Sequence, residues 1–482
     1  MTSAIDSKRP ITEAAGPEPH VAQADVLDAG YAGRHAAAVA VRISAIALGV
    51  APLPALVYRH DGQFTRAVVV RILALGAAGE IGRTAARVLA GDDRITQLVV
   101  ADRNARAATR VARALGAKGV PLALDVTDRP ALDAAMRDCD FVINTVGPFF
   151  LFGPPILSAA IDAGRDYIDI CDDPEPTLEM LAFDDRAKAA GVTALLGMGA
   201  SPGVANLLAV IAGRELETVD TVITAWNINA AQSDPARTGA TSAAIVHGMR
   251  QISGTIPVTR ARGLEHRPAL ARIRVSYPGI GAVRGRSFGH PEGVTLSRAF
   301  PGLRESTNMV VGDRLTLAVV SVLRWVINQR IMTIDRAAYV AARLGRLMVD
   351  KPAHILTSGG APPLFALATG TRQDSTCTVA TALAQLPGLS MAANTAVPLA
   401  VAIPLIAASR RPGVHTPETL LDPAAFFSAF ARHCIGDPAP AAMTITTRSW
   451  ASPEDNAAAL NASLLTALLN ARCRTHIADA LI

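Results

Sequence analysis

Apolar and β-branched positions crowd together from Val68 to Leu75, interrupted only by Arg71. Such a run reads as a strand buried on both faces of a parallel sheet. It ends at Gly76–Ala77–Ala78–Gly79–Glu80–Ile81–Gly82, and from Ile81 to Ala90 apolar residues recur at helical spacing. The alternation then continues. Strands are expected at Gln97–Asp102, Val120–Asp125, Phe141–Val146, Asp166–Ile170 and Val192–Leu196. Helices are expected at Ala105–Ala117, Ala131–Asp138, Ile156–Gly164 and Pro174–Gly191. Strands separated by single helices predict a doubly wound parallel α/β sheet over residues 66–210.

The pattern changes near Leu216. Thr218–Asn229 and Leu270–Tyr277 have strand periodicity without crossover helices, which predicts antiparallel sheet in a second, α+β domain over 211–410. Leu315–Met348 reads as one or two helices, Leu364–Thr371 and Ser375–Leu383 as strands, and Met391–Ala408 as a buried helix. Arg411–Glu418 reads as a turn and Asp422–Arg432 as a helix. The last fifty or so residues read as Ala-rich helix within a 411–482 segment. Residues 1–65 form an extension, its first third polar and Pro-containing and expected to be disordered. His35–Leu56 is expected to form an apolar helix.

Composition narrows the function. At 482 residues, half of them hydrophobic, the chain can bury two or more cores. Only four lysines occur (Lys8, Lys118, Lys188, Lys351) among many arginines, so a single arginine is weak testimony for a site. The net charge of +5 is mild, and no basic block is interleaved with aromatics, which argues against nucleic acid. Five scattered cysteines without a CxxC pair disfavour a metal cluster or a disulfide framework and suit a reducing cytoplasm. The N-terminus begins polar and acidic, unlike a secretory signal. Ala36–Tyr58 is interrupted by Arg42 and followed by prolines, and Thr395–Ala408 is too short to span, so a membrane span is not expected.

The strand, glycine turn and helix at 68–90 suggest a dinucleotide site of Rossmann type. Gly76 permits the sharp turn, Gly79 lets backbone approach a pyrophosphate, and Gly82 lets the helix lie on the strand. Ala77, Ala78, Glu80 and Ile81 complete the loop, and the helix N-terminus offers free N–H groups. Asp102, 20 residues after Gly82, can accept from ribose hydroxyls, whereas Arg103 and Arg106 could instead meet a 2′-phosphate. NAD is therefore favoured over NADP. Asp125–Val126 would meet the adenine or form a plain Asx turn. Asn144–Thr145–Val146–Gly147–Pro148 would pass the nicotinamide ribose at a strand carboxyl end.

Several separated motifs resemble the saccharopine dehydrogenase/reductase-like family. They are Gly76–Gly82, Val142–Phe149, Gly164–Asp169, Gly199–Asn206, Gly413–Glu418, Asp422–Pro423 and Phe426–Phe427. His290–Pro291–Glu292 and Tyr277–Pro278–Gly279–Ile280–Gly281 are most similar to its bacterial lysine 6-dehydrogenase-like branch. The family's usual G-x-D-P-G turn has Ser201 before Pro202 here. The resemblance implies hydride transfer at a C–N bond of a small amino-acid-derived amine or imine, NAD(P) as cofactor, and a homodimer made by the second domain. It also implies a late segment folding back on the nucleotide domain.

For proton transfer the candidates are Asp169, at a strand carboxyl end, His290, with a pKa suited to neutral pH, and Glu292. Each has a structural alternative: a helix cap, a turn histidine, an arginine partner. Tyr167, Cys171, Ser201 and Asn206 would line the substrate, although Tyr167 and Cys171 also read as core. Arg284 and Arg286 suit a substrate carboxylate or a solvated surface. Two rival readings remain: reduction of an activated alkene or ketone, and a nucleotide-binding subunit without turnover.

Overall fold

The computed structural model describes residues 56–58, 64–66, 70–228, 230, 243–348, 361–388 and 390–450. Most of the expected extension with its helix, and the tail beyond 450, lie outside these. The chain divides into two compact units, Met1–Ala67 and Val68–Ile482. In the first, β1 (Leu56–Tyr58) pairs antiparallel with β2 (Phe64–Arg66).

The second unit opens with the alternating segment. In chain order it forms β3 (Val70–Leu75), α1 (Glu80–Ala90), β4 (Ile95–Asp102), α2 (Ala105–Ala114), β5 (Gly119–Ala123), α3 (Arg129–Arg137) and β6 (Phe141–Asn144). Then follow α4 (Phe149–Asp162), β7 (Asp166–Asp169), α5 (Pro174–Leu181), α6 (Asp184–Ala189), β8 (Thr193–Leu195) and α7 (Val204–Gly213). With β17 (Gly413–His415) from late in the chain, these strands build a seven-stranded sheet of order β17-β8-β7-β6-β3-β4-β5, parallel throughout. The chain leaves β3 toward β4 and β5, then returns to β6 on the other side. That reversal opens a crevice at the carboxyl ends of β3 and β6.

Two helices differ from expectation. α4 begins at Phe149 and runs through Pro154 and Pro155. Prolines usually break a helix, but here both stand within its first two turns, and Phe149, Ile156, Leu157 and Ala160 are buried in one core. The segment expected as a single helix, Pro174–Gly191, splits between α5 and α6 at Ala182–Phe183.

The rest of the unit comprises β9 (Thr218–Asn227), α8 (Ala243–Gln251), β10 (Thr255–Arg260), β11 (Gly263–Pro268), β12 (Arg272–Tyr277), β13 (Gly281–Phe288), α9 (Glu292–Thr295) and β14 (Glu305–Val311). After these come α10 (Arg314–Asn328), α11 (Ile334–Met348), β15 (Leu364–Arg372), β16 (Ser375–Leu383), α12 (Met391–Ala408), β17 (Gly413–His415), α13 (Pro417–Leu420), α14 (Pro423–Ala431) and β18 (Thr444–Trp450). Nine strands form a second sheet along β11-β10-β14-β9-β15-β16-β18, with β13 joining β12 to β14. It is not purely antiparallel, because β14 runs parallel to β9, Glu305 opposite Thr221. Parallel neighbours need a long crossover, and α8 with the hairpins β10–β13 supplies it.

Two further corrections fall late in the chain. Within the expected turn at 411–418, Gly413–His415 is a strand, pairing Val414 with Ala194 of β8. The late segment thus returns to the parallel sheet, and Arg410 clamps Asp166 at 2.6 and 2.8 Å. The expected helical tail is instead β18 where it is described, paired with β16. Its TITTRSW sequence is rich in β-branched residues, which suit a pleated surface.

α12 is the described helix long and apolar enough to cross a membrane. It is apolar all round because protein surrounds it: Leu399, Ile403 and Ile406 share a core with Leu89 of α1 and Phe426 and Phe430 of α14. The same core takes in Leu207 and Leu208 of α7 and Leu364 and Val379 of the second sheet. α7 therefore couples the two sheets, and the turn before it carries the chemistry.

Candidate functional site

The loop after β3 has the geometry its glycines imply. Gly76 adopts φ +71°, and a Cβ there would lie 3.0 Å from the Thr145 carbonyl oxygen. A Cβ on Gly82 would lie 2.7 Å from the Ala77 Cα and the Gly76 oxygen, so only glycine lets α1 lie this close. Gly79 is different: its Cβ would meet only the Gly76 oxygen, leaving its outer side open. Gly79 also caps α1, and no side chain caps that helix. Its first N–H groups therefore point unclaimed into the crevice, as a pyrophosphate requires. Ala77 is buried, while Ala78, Glu80 and Ile81 are partly exposed around the loop. Thr145 pins the facing strand end to β3 through its hydroxyl, 2.8 Å from the Leu75 oxygen. Val146 and Gly147 follow, and Pro148 is the N-cap of α4.

At the end of β4, Asp102 accepts from the Asn104 N–H, and Asn104 caps α2. The second carboxylate oxygen of Asp102 carries no bond among the described residues. Arg103 is exposed beside it. Asp125 is an exposed Asx-turn residue, accepting from the N–H and hydroxyl of Thr127, with Val126 half-buried next to it.

The ends of β6, β7 and β8 are tied by a buried chain of polar groups. Asn144 donates to the Tyr167 hydroxyl at 3.0 Å, and Tyr167 donates to Asp169 at 2.9 Å. Asp169 also accepts from the N–H groups of Cys171 and Gly197 at 3.0 and 2.7 Å. Burial lifts its pKa to about 6 against these donors. With three bonds and no exposure, Asp169 positions strand ends rather than facing a substrate. Tyr167 and Cys171 are likewise fully buried, and burial holds the Cys171 thiol well above its ordinary pKa.

Beyond β8 the turn 199–203 delivers Ser201 to residues of the second sheet. The Ser201 hydroxyl donates to Glu292 Oε1 and lies 3.1 Å from His290 Nδ1. Asn308 of β14 donates to the same hydroxyl at 3.1 Å, with Glu292 Oε1 at 3.2 Å and Thr224 at 2.9 Å. Ser201 has one proton to give. Once it goes to Glu292, His290 must approach with Nδ1 protonated, leaving Nε2 as its basic atom. The His290 ring stacks on Trp226 at 5.8 Å and meets Phe288 edge-on at 4.9 Å. Burial in this aromatic sleeve lowers its pKa to about 4, against the pull of Asp172. Burial raises Glu292 to about 7, with the Ser201 bond opposing and Glu418 reinforcing.

Asn206 holds the turn in place. Its Oδ1 accepts from the Gly203 N–H, and its Nδ2 donates to Glu418 Oε2, each at 2.8 Å. Glu418 is the first-turn acid of α13, delivered by the returning segment, and burial raises its pKa. Glu292 Oε2 and Glu418 Oε1 are buried and have no hydrogen-bond partner among the described residues.

A third group flanks these. Asp172 and Asp173, just past β7, converge on Nε2 of His247 from α8 at 2.9 and 3.2 Å. Burial pushes His247 down, but the Asp172 carboxylate, followed by Asp173, outweighs it and raises the imidazole to about 9. Arg284 and Arg286 do not join these clusters. They stand on β13 opposite Arg274 and Arg272, Arg284 exposed, and burial with Arg272 and Arg324 lowers the pKa of Arg286. Groups of these clusters that the motifs had not suggested are Asp172, His247, Asn308 and Trp226. For Asp172 the signal was present, three residues beyond a strand carboxyl end. Asn308, Trp226 and His247 lie in no motif.

Comparison with known proteins decides the family. Residues 72–195 match the saccharopine dehydrogenase NADP binding domain. Over those residues the chain carries a nucleotide-binding domain of the saccharopine dehydrogenase family. A saccharopine dehydrogenase-like oxidoreductase of Arabidopsis thaliana is 34% identical over 90 residues, 18% of this chain and 20% of that one. Carboxynorspermidine synthase of Vibrio cholerae is 26% identical over 271 residues, 50% of this chain and 63% of the relative. The apo saccharopine dehydrogenase (L-Glu forming) structure from Saccharomyces cerevisiae is 17% identical, covering 75% of this chain and 96% of that chain at a TM-score of 0.48. The match thus spans about a fifth of the first relative's length and over half of the second's.

Proposed function

We propose that the protein is an NAD(P)-dependent oxidoreductase transferring hydride at a carbon–nitrogen bond of a small amino-acid-derived amine or imine. The observation that carries this reading is the Ser201–His290–Glu292 array on the same sheet edge as the Gly76–Gly82 cradle. The open side of Gly79 and the uncapped N-terminus of α1 suit the pyrophosphate. Asp102, with a free carboxylate oxygen at a fixed strand end, suits a ribose 2′-hydroxyl and favours NAD over NADP. The nicotinamide ring, when bound, supplies the hydride acceptor or donor.

The chain's own residues then handle the proton. In amine oxidation His290 Nε2 takes a proton from the substrate nitrogen, Nδ1 passes its proton to Ser201, and Ser201 passes its own to Glu292. A group with pKa near 7 at the end of this path is matched to neutral pH. Asn308 and Trp226 hold the path in line, and Asp172 with His247 sets the local charge. The relative named carboxynorspermidine synthase supports C–N chemistry. A cytoplasmic homodimer accompanies this reading.

The test is nicotinamide oxidation or reduction with a panel of amino acids, diamines and preformed imines, beside a panel of enones and ketones. Turnover with the C–N set supports the proposal. Turnover confined to enones or ketones, or none with any substrate, refutes it.

A further inference from the structure

We propose that the hairpin of α10 and α11 is a docking face for an anionic phospholipid surface. Along α10, Leu315, Ala318, Val322 and Trp325 are all exposed, at spacings of three, four and three residues. They form one apolar stripe on a helix about 22 Å long. Leu315 is 63%, Val322 59% and Trp325 58% exposed. Ile331 in the connecting turn and Tyr339 on α11 extend the patch, at 63% and 52%. The opposite face is conventional: Leu323 packs with Phe288, Val310 and Ala337 in a local core. The helix is therefore apolar on two sides, and among the described residues a protein core lies behind only one. An exposed patch of this kind marks an interaction surface.

Charge selects the occupant. The hairpin from 313 to 348 carries Arg314, Arg324, Arg330, Arg336, Arg343 and Arg346 against only Asp313 and Asp335. Arg314, Arg330, Arg336 and Arg343 are exposed, and none has a carboxylate partner among the described residues. Asp313 is spent on the N–H and hydroxyl of Thr316 at the start of α10. A two-fold contact with a second copy would set this basic rim against itself. An anionic bilayer complements it, with the apolar stripe entering the acyl boundary and Trp325 at headgroup level.

Vesicle binding by the full chain tests this, with phosphatidylcholine vesicles containing or lacking phosphatidylserine. Co-sedimentation with the phosphatidylserine vesicles is expected, weakening as salt rises, with a blue shift of tryptophan emission. Trp226 and Trp450 are both partly buried, so that shift reports Trp325. Each arginine at an anionic surface adds roughly fivefold to partitioning, so the triple variant Arg314→Gln, Arg330→Gln, Arg336→Gln should bind about a hundredfold more weakly. Val322→Asp should abolish the emission shift. Cofactor affinity should be unchanged in both, which also reports that they fold; if either fails to fold, the salt series on the native chain decides. Absence of binding at low salt, or equal binding to neutral vesicles, overturns the proposal. So does a native dimer that Val322→Asp dissociates without any vesicle binding, since a second copy then covers this face.

Discussion

The hydroxyl of Ser201 lies 3.1 Å from Nδ1 of His290, although the two residues are 89 positions apart and follow strands of different sheets. Where the family's turn has aspartate, a serine here accepts from a histidine and donates to a buried glutamate. A carboxylate at 201 would crowd Glu292 with a second negative charge. Serine can relay a proton without adding a charge.

Removing that relay should slow chemistry and spare binding. Ser201→Ala is expected to lower kcat/KM roughly ten- to hundredfold, the range for lost proton-transfer assistance, with an unchanged dissociation constant for the nicotinamide cofactor. Steady-state kinetics with nucleotide titration checks this. A matching loss of cofactor affinity would place Ser201 elsewhere.

Glu292 sets the pH profile. Its pKa is raised to about 7 by burial, so the group is ionised, and able to accept, only above that pH. Amine oxidation should rise with pH through about 7, and imine reduction, which needs the protonated form, should fall through the same point. Glu292→Gln should flatten both limbs. A profile identical in wild type and variant would show that another group titrates.

The second and third glycines of the loop should separate folding from binding. Gly79→Val meets one backbone atom, the Gly76 oxygen at 3.1 Å, and should cost less stability than a side chain at Gly82 while losing cofactor affinity, because its side chain occupies the pyrophosphate position. Gly82→Ala forces a Cβ to within 2.7 Å of backbone and should cost roughly 1–3 kcal/mol of stability. Thermal unfolding and cofactor titration on both variants would reveal an inverted ranking.

His247 predicts a stability change at alkaline pH. Its folded-state pKa is about 9 against an ordinary 6.5, so the folded chain holds the proton more tightly. The stabilisation is complete below pH 6.5 and lost as pH rises through about 9. It amounts to no more than about 3 kcal/mol. His247→Gln should show a flatter decline in unfolding free energy between pH 7 and 9 than wild type. Parallel curves would dismiss the pairing with Asp172 and Asp173.

Cofactor choice turns on Asp102. Asp102→Ser removes the charge that would repel a 2′-phosphate and should shift preference toward NADP, with Arg103 then free to meet it. Wild-type kinetics with a tenfold lower KM for NADPH than for NADH would reverse the assignment.

Much of the parallel sheet could be read from the chain because each of its strands is a short apolar run punctuated by glycine or aspartate. Gly76, Gly79 and Gly82 announced the cradle, since backbone close approach leaves its mark in residue type. The second sheet was harder. The parallel pairing of β9 with β14 joins residues more than eighty positions apart, which periodicity does not encode. β17 is three residues long, too short to show alternation, and Gly413 looked like turn chemistry. His290, Glu292 and Ser201 were visible as separate candidates, but that they touch depends on how α7 couples the sheets. Asp169 was legible as a strand-end acid, yet only the fold shows its oxygens occupied by Tyr167, Cys171 and Gly197. Asn308 lies in an ordinary-looking strand and carried no signal.

The central claim is hydride transfer to or from carbon bonded to nitrogen, and isotope transfer measures it directly. The protein would be incubated with nicotinamide cofactor deuterated at C4 and an amino-acid-derived imine, and the product amine examined by mass spectrometry. Deuterium at the carbon bearing nitrogen, lost in Gly79→Val and slowed in Ser201→Ala, is the predicted result. Cofactor that binds but delivers no deuterium to any C–N carbon, while labelling an enone or ketone product, would contradict it.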